Sequence, residues 1–323
     1  MMGRAGSRAT FKQGREDLKV YAGIEVSAKD VERVAEGMGD AIEQWSQSER
    51  QRLLVEPPLP VREDKTIPVL YICYDGTGVP MTRQELTGRK GKQADGSALT
   101  REVKLGCVFT QTTTDEKGFP VRDSESTSFV GAIESSEQFG WRIYAEAVRR
   151  GLSHAARVVV LGDGAEWVRT VAEHHFPGSI HMIDLYHARQ HVSNLCKILS
   201  GPDEKRVIRF RTRWWTYMDE GKIERIVDEA TQEIPSQREA KRQAKGQIAY
   251  LDKNKERMRY AQFRRQGLFV GSGVVEAGCK TLIGLRMKQS GMEWSLHGAN
   301  AIIALRCTIQ SGRFQDYWES RAG

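Results

Sequence analysis

Val69-Leu70-Tyr71-Ile72-Cys73-Tyr74-Asp75-Gly76 is six apolar or aromatic residues in a row, closed by an acid and a glycine. The pattern returns at Arg157-Val158-Val159-Val160-Leu161-Gly162-Asp163-Gly164. Continuous rather than alternating apolarity is what a strand covered on both faces requires. Each run therefore predicts a central strand that ends at Asp-Gly, where glycine allows a tight turn and close approach of a ligand to the backbone. If the two strands share a sheet, Asp75 and Asp163 emerge at one edge. Two ionised carboxylates so placed repel each other, and a divalent cation relieves the repulsion. Hard oxygen donors favour Mg²⁺ or Mn²⁺ over zinc.

Working outward, Val103 to Thr113 and Ser126 to Ile133 read as further strands, rich in Thr, Val and Phe. A basic, glycine-rich turn, Gly88-Arg89-Lys90-Gly91-Lys92, precedes them. Ser135 to Ala155 reads as an amphipathic helix, and a further helix runs to His175, closed by Pro177-Gly178. Ile180 to Ile183 reads as a short strand ending at Asp184. The order β-β-β-α-β-α-β-α, then a helical insertion and a last helix, predicts an α/β fold with an RNase H-like mixed sheet flanked by helices. The expected domains are a helical N-terminal segment over 1–62, a catalytic domain over 63–200 plus 268–312, and a helical insertion over 201–267. The breaker run at 56–60 separates the first two.

A third acid, Glu276, lies in Gly271-Ser272-Gly273-Val274-Val275-Glu276, early in the last helix, where the helix N-terminus favours its ionised form. Lys280 is one turn on, followed by Arg286 and Lys288. An acid with cations on the same helix is suited to holding a metal and a phosphate backbone together. Upstream, Ser27-Ala28-Lys29-Asp30 reads as a capping box after a Gly23 turn. That is the shape of a helix-turn-helix, with Lys29 and Arg33 exposed toward DNA; a helical hairpin packed on the main domain is the alternative.

Composition narrows the function classes. The chain has 323 residues, 39% of them hydrophobic, with a mean hydropathy of −0.52. That excludes wholesale disorder, and no run of about 18 apolar residues predicts a membrane span. The first 17 residues hold no apolar stretch of the kind a secretory signal needs. Five cysteines without a C-x-x-C pair exclude a zinc ribbon and argue against a disulfide framework, so a reducing cytoplasm is expected. Net charge is +7, and residues 202–265 hold 17 Lys or Arg against 11 Asp or Glu, so the surplus sits in the helical insertion. Such a surplus suits either a phosphate-facing surface or a solvated helical face. Trp214 and Trp215, among Arg211 and Arg213, read as core of the insertion, or else as base-stacking groups beside arginines. His187 and His191 share a helical face, but the Glu of H-E-x-x-H is absent, which weakens a zinc site. The Gly271–Glu276 stretch lacks the third glycine of a dinucleotide loop, and no G-x-S-x-G elbow supports a serine hydrolase.

Tyr74-Asp75-Gly76-Thr77-Gly78-Val79-Pro80, Gly162-Asp163-Gly164-Ala165-Glu166-Trp167, Ile183-Asp184-Leu185-Tyr186-His187-Ala188, Gly271 to Glu276 and Arg286 to Trp294 together resemble the motif set of a bacterial insertion-sequence family, the Kra-type DDE transposases, distantly like Mutator transposases. The resemblance runs from about Ile67 to Arg306. It implies an RNase H-like core with a helical insertion before the last acid, and Asp75, Asp163 and Glu276 as catalytic, metal-binding residues. Asp184 and His187 match a supportive Asp-x-x-His feature. The implied activity is DNA cleavage and strand transfer with Mg²⁺ or Mn²⁺, two ions in all, and no covalent protein intermediate. The implied partners are transposon-end and target DNA, a second copy of the chain in the active complex, and no membrane; the expected location is the cytoplasm, at the nucleoid. Lys280, Arg286, Lys288, Arg211, Arg213, Lys29 and Arg33 are the expected DNA contacts. Members of the family carry a cysteine-rich N-terminal region that this sequence lacks, so a shortened copy is expected. Two other classes share the core: a DNA-binding remnant without catalysis, and a nuclease without strand transfer.

Overall fold

The computed structural model describes residues 1–56, 67–91, 93 and 96–321; the prolines of the breaker run and Lys92 of the basic turn lie outside the described residues. The chain forms two compact units. The first comprises Met1–Thr110, Asp123–Ala156 and Gly273–Gly323, the second Gln111–Arg122 and Arg157–Ser272. Both mix helix and strand.

The first unit opens with α1 (Met2–Arg8), α2 (Phe11–Ala22) and α3 (Ala28–Val55). Thr10 caps α2, and Gly23 ends it in the left-handed conformation, φ 64°, which glycine adopts without a Cβ penalty. The capping box expected at Ser27 is present, its hydroxyl accepting from the Asp30 amide and the Asp30 carboxylate accepting from the Ser27 amide. Val31, Ala35, Gly39 and Ile42 form the buried face of α3. Their spacing of three and four residues is that of one helical stripe. The stripe packs on α1 and on a long C-terminal helix over Leu296–Gln310. At the crossing, a Cβ on Gly39 would sit 2.0 Å from the Ala301 carbonyl oxygen, so only glycine lets the backbones approach.

Strand β1 (Val69–Pro80) is followed by the short α4 (Arg83–Leu86) and by β2 (Thr100–Gln111). The strands stack Tyr71 on Phe109, ring centroids 4.8 Å apart. β1 does not end at Asp75-Gly76. It continues to Pro80, losing its full burial at Asp75. A Cβ at Gly76 would come within 2.4 Å of a Glu102 carboxylate oxygen, and one at Gly78 within 2.8 Å of the Thr100 hydroxyl. These glycines serve close strand packing rather than a turn.

The chain crosses β3 (Thr113–Thr114) and β4 (Pro120–Val121) of the second unit, then returns as β5 (Ser128–Ala132). β5 pairs antiparallel with β2, from Lys104↔Ala132 to Val108↔Ser128. Helix α5 (Ser136–Arg149) is shorter than the sequence suggests, because Gly151 at φ 92° breaks it before a 3₁₀ turn at Leu152–His154. Arg142 of α5 is buried and bonds Glu134 and Glu43 at 2.7–3.0 Å, tying α5 to α3.

In the second unit β3 and β4 form a minimal antiparallel hairpin. β6 (Val158–Gly162), α6 (Glu166–His175) and β7 (Ile180–Ile183) form a βαβ unit, its strands parallel from Val159↔Ile180 to Gly162↔Ile183. Five helices follow: α7 (Leu185–Ser200), α8 (Glu204–Asp219), α9 (Ile223–Gln232), α10 (Arg238–Asn254) and α11 (Tyr260–Arg265). Trp214 is their core: it is fully buried, stacks on Phe210 at 4.8 Å and donates its indole N–H to Glu229 at 2.7 Å. Tyr260 donates its hydroxyl to the Ile183 carbonyl at 3.1 Å and anchors α11 to β7.

The chain re-enters the first unit as α12 (Gly273–Gly278), a π-helical stretch over Cys279–Gly284, and α13 (Leu285–Met287). The long helix that packs on α3 is α14 (Leu296–Gln310), followed by α15 (Phe314–Glu319). All five cysteines are buried, and none forms a disulfide.

Candidate functional site

In the first unit, strand β1 lies against α12 and the π-helical stretch. This brings together residues about 200 positions apart: the Cys279 thiol is 3.9 Å from a carboxylate oxygen of Asp75, whose other oxygen accepts from the Gly76 amide at 2.7 Å. Burial pushes the Cys279 thiol up to about 12, and the charges of Asp75 and, more weakly, Glu276 add to the effect. The thiol is therefore protonated at neutral pH, and the field of both acids reaches it. Glu276 pairs with Lys280 one turn on, at 2.9 Å and partly in solvent. The π-helical stretch begins directly after this turn. Such insertions interrupt the i→i−4 ladder and recur at functional sites.

The cations of this segment divide sharply. Lys288 reaches back to β1 and donates to the Thr77 hydroxyl at 2.5 Å, two residues from Asp75. Lys280 is exposed. Arg286 is fully buried instead, a departure from its reading as a DNA contact. Its guanidinium lies between the rings of Phe11 and Trp294, 4.6 and 4.9 Å from their centroids, and donates to the Gly6 carbonyl at 3.0 Å. Burial and the nearby Arg306 charge bring its pKa down to about 10. It fastens the N-terminal helices to the C-terminal segment.

In the second unit, Asp163 and Asp184 each follow the last paired residues of parallel strands, Gly162↔Ile183. Asp163 accepts from the Ala165 amide at 2.8 Å, a turn that starts α6. Asp184 is 2% exposed and caps α7 by accepting from the His187 amide at 2.9 Å; its second oxygen accepts from the Ser272 amide. With both oxygens engaged, Asp184 acts as a structural clamp. His187 contributes its backbone to that cap. The His191 ring stacks on Tyr250 with centroids 3.8 Å apart, and its Nδ1 meets Gln247 at 2.7 Å.

Tyr250 is a residue the sequence reading missed. Its hydroxyl takes the space a Cβ on Gly164 would fill, 2.0 Å from that position, so Gly164 is the notch that admits it beside Asp163. Burial raises its pKa, and the Asp163 charge raises it further. No periodicity on α10 marks it, because its partners lie in the turn after β6 and on α7.

Arg213 pairs with Glu229 at 2.7 Å, and Arg211 and Arg189 lie over the Trp215 ring at 5.6 and 5.0 Å. Lys29 and Arg33 are exposed but engaged locally with Glu32 and Asp30 at 3.0 and 2.9 Å. Among the described residues, no three His, Cys, Asp or Glu side chains gather into a group able to hold a metal ion, and no helix is long and apolar enough to cross a membrane.

A family model matches residues 116–320; its description is "Uncharacterised protein family (UPF0236)". No curated protein matches the chain. Among solved structures it is similar to the Drosophila P element transposase strand transfer complex, at 8% identity and a TM-score of 0.31, covering 98% of this chain and 79% of that one.

Proposed function

The chain belongs to the uncharacterised protein family UPF0236, and from that footing we propose that it is a DDE-type transposase with an RNase H-like core, cutting and joining DNA with a divalent cation. The observation that carries the reading is the meeting of Asp75 with the Glu276 helix in the first unit, reinforced by the motifs in which both residues stand. Asp75, Asp163 and Glu276 are the proposed metal-binding acids. Carboxylate oxygens are hard donors of the kind Mg²⁺ or Mn²⁺ takes, and Mg²⁺ is commonly held by one or two carboxylates together with substrate phosphate. A cation held there would polarise a phosphodiester and lower the pKa of a bound water.

The chain's own groups do the rest. To hold a cation, Glu276 would release Lys280. An exposed pair of this kind is worth about 0–1 kcal/mol, so the exchange is cheap and leaves Lys280 free for a phosphate oxygen. Lys288, anchored on Thr77, stands near Asp75 as a fixed cation for charge building on the phosphate. Asp184 holds β7, α7 and the Ser272 backbone in register. Arg211, Arg213, Lys29 and Arg33 are the proposed outer DNA contacts. Attack by water or by a DNA 3′-hydroxyl needs no protein nucleophile.

The test is nicking of supercoiled plasmid in Mg²⁺ by the full chain and by Asp75→Asn, Asp163→Asn and Glu276→Gln, with DNA binding measured in parallel. Each amide keeps the size of the side chain and removes its charge. Nicking is expected to fall at least about a hundredfold, with binding unchanged. A variant that nicks at the wild-type rate removes its residue from the set. DNA binding without nicking by the wild type identifies a non-catalytic remnant, and nicking that never joins a 3′ end to target DNA identifies a nuclease.

A further inference from the structure

We propose that the cleft between α1 and α14 of the first unit is a phosphate-binding site that grips the DNA backbone. An open cavity of about 420 Å³ is lined there by Arg4, Ser7, Arg8, Leu282, Arg306 and Gln310, with no acidic side chain among its described lining residues. Arg4 and Arg8 are both exposed and stand at i and i+4 on the same face of a seven-residue helix. Like charges at that spacing repel, and so short a helix has little stability of its own to offset them. Among the described residues, neither of them nor Arg306 forms an ion pair with a carboxylate, whereas Arg50, Arg142, Arg149 and Arg313 of the same unit do and Arg52, Arg83, Arg89 and Arg150 do not.

Arg306 and Arg4 are also set in place. Arg306 donates to the backbone carbonyls of Leu282 at 2.6 Å, Thr281 at 2.8 Å and Ser7. Five N–H groups less three leaves two, one on each terminal nitrogen, in a planar fork. The Arg4 guanidinium lies 4.4 Å over the Phe314 ring. A planar, pre-oriented fork suits phosphate oxygens in a bidentate contact. The charge of Arg8 lowers the pKa of Arg306, after burial, and that of Arg306 lowers the pKa of buried Arg286. An anion seated among these arginines relieves their mutual repulsion. An open cleft fits a backbone passing through it better than an enclosed small ligand. Only the source of the phosphate, DNA, rests on the proposed function.

The experiment uses the full chain and the double variant Arg4→Gln/Arg8→Gln, which spares Arg306 and its structural carbonyl bonds. Binding of a short labelled duplex is followed by anisotropy between 50 and 200 mM salt, and binding of inorganic pyrophosphate by calorimetry. Losing two phosphate contacts should reduce the slope of log affinity against log salt by about 1.8, at about 0.9 per contact, with the folded circular dichroism spectrum retained. An unchanged slope together with unchanged pyrophosphate binding overturns the site. Weakened pyrophosphate binding with an unchanged DNA slope overturns the assignment to DNA backbone. If the wild type binds pyrophosphate through these arginines and no DNA at all, the anion site stands while the transposase reading falls.

Discussion

Two glycines on one helix make opposite predictions. Gly37 and Gly39 both lie in α3, yet a Cβ on Gly37 meets nothing within 4 Å, while one on Gly39 meets the Ala301 carbonyl oxygen at 2.0 Å, its carbon at 2.5 Å and its Cα at 2.8 Å. Gly37→Ala therefore changes only helix propensity and should stabilise by up to about 1 kcal/mol. Gly39→Ala makes the same gain, but the obstacle is backbone and cannot rotate away. Relief requires α3 and α14 to separate by roughly 1 Å, which forfeits about a quarter to a half of the dispersion energy across the interface. Overpacking costs about 1–3 kcal/mol, and an unyielding neighbour argues for the upper end. Net of propensity, Gly39→Ala should destabilise by about 2 kcal/mol. At about 2–4 °C per kcal/mol for a unit of 150–250 residues, Tm should drop by about 4–8 °C, and rise by a few degrees for Gly37→Ala. Circular dichroism melts of the full chain test this. A Gly39→Ala protein as stable as the wild type would refute the claim that α3 is an integral part of the first unit.

Arg142→Met should destabilise by about 3–5 kcal/mol in a denaturant titration, because it leaves Glu43 and Glu134 half-buried without their shared cation. Burial, with Arg257 and Arg169 adding, depresses the His181 pKa to about 4. The folded state thus favours the neutral ring, so stability is full above the unfolded pKa near 6.5 and falls as pH drops toward 4. The loss approaches about 3 kcal/mol at most, and melts of His181→Gln across this range should show a flatter pH dependence.

Much of the fold could be read from local pattern. Apolar runs located β1, β6 and β7, and the Ser27–Asp30 spacing located the start of α3. What escaped was decided by partners distant in sequence. Asp75-Gly76 reads as a turn because Asp-Gly usually is one; Glu102 and Thr100 on the neighbouring strand make it part of a longer strand. Arg286 reads as exposed because helical cations usually are, but Phe11 and Trp294 enclose it. The two-residue strands β3 and β4 are too short to leave a periodic signal, and nothing local announces the π-helical stretch beside Glu276. In the candidate site, the acids stood out by their motifs, whereas Cys279, Thr77 and Tyr250 are defined only by what they touch.

The most direct measurement of the central claim is electron paramagnetic resonance of Mn²⁺ titrated into the full-length chain, compared with the Asp75→Asn/Glu276→Gln double variant. Both changes keep side-chain volume, and both residues lie in the first unit. The account predicts bound Mn²⁺ in the wild type, competed by Mg²⁺, and its loss in the variant without loss of fold. Equal Mn²⁺ binding by the two proteins would contradict the assignment of these carboxylates as metal ligands.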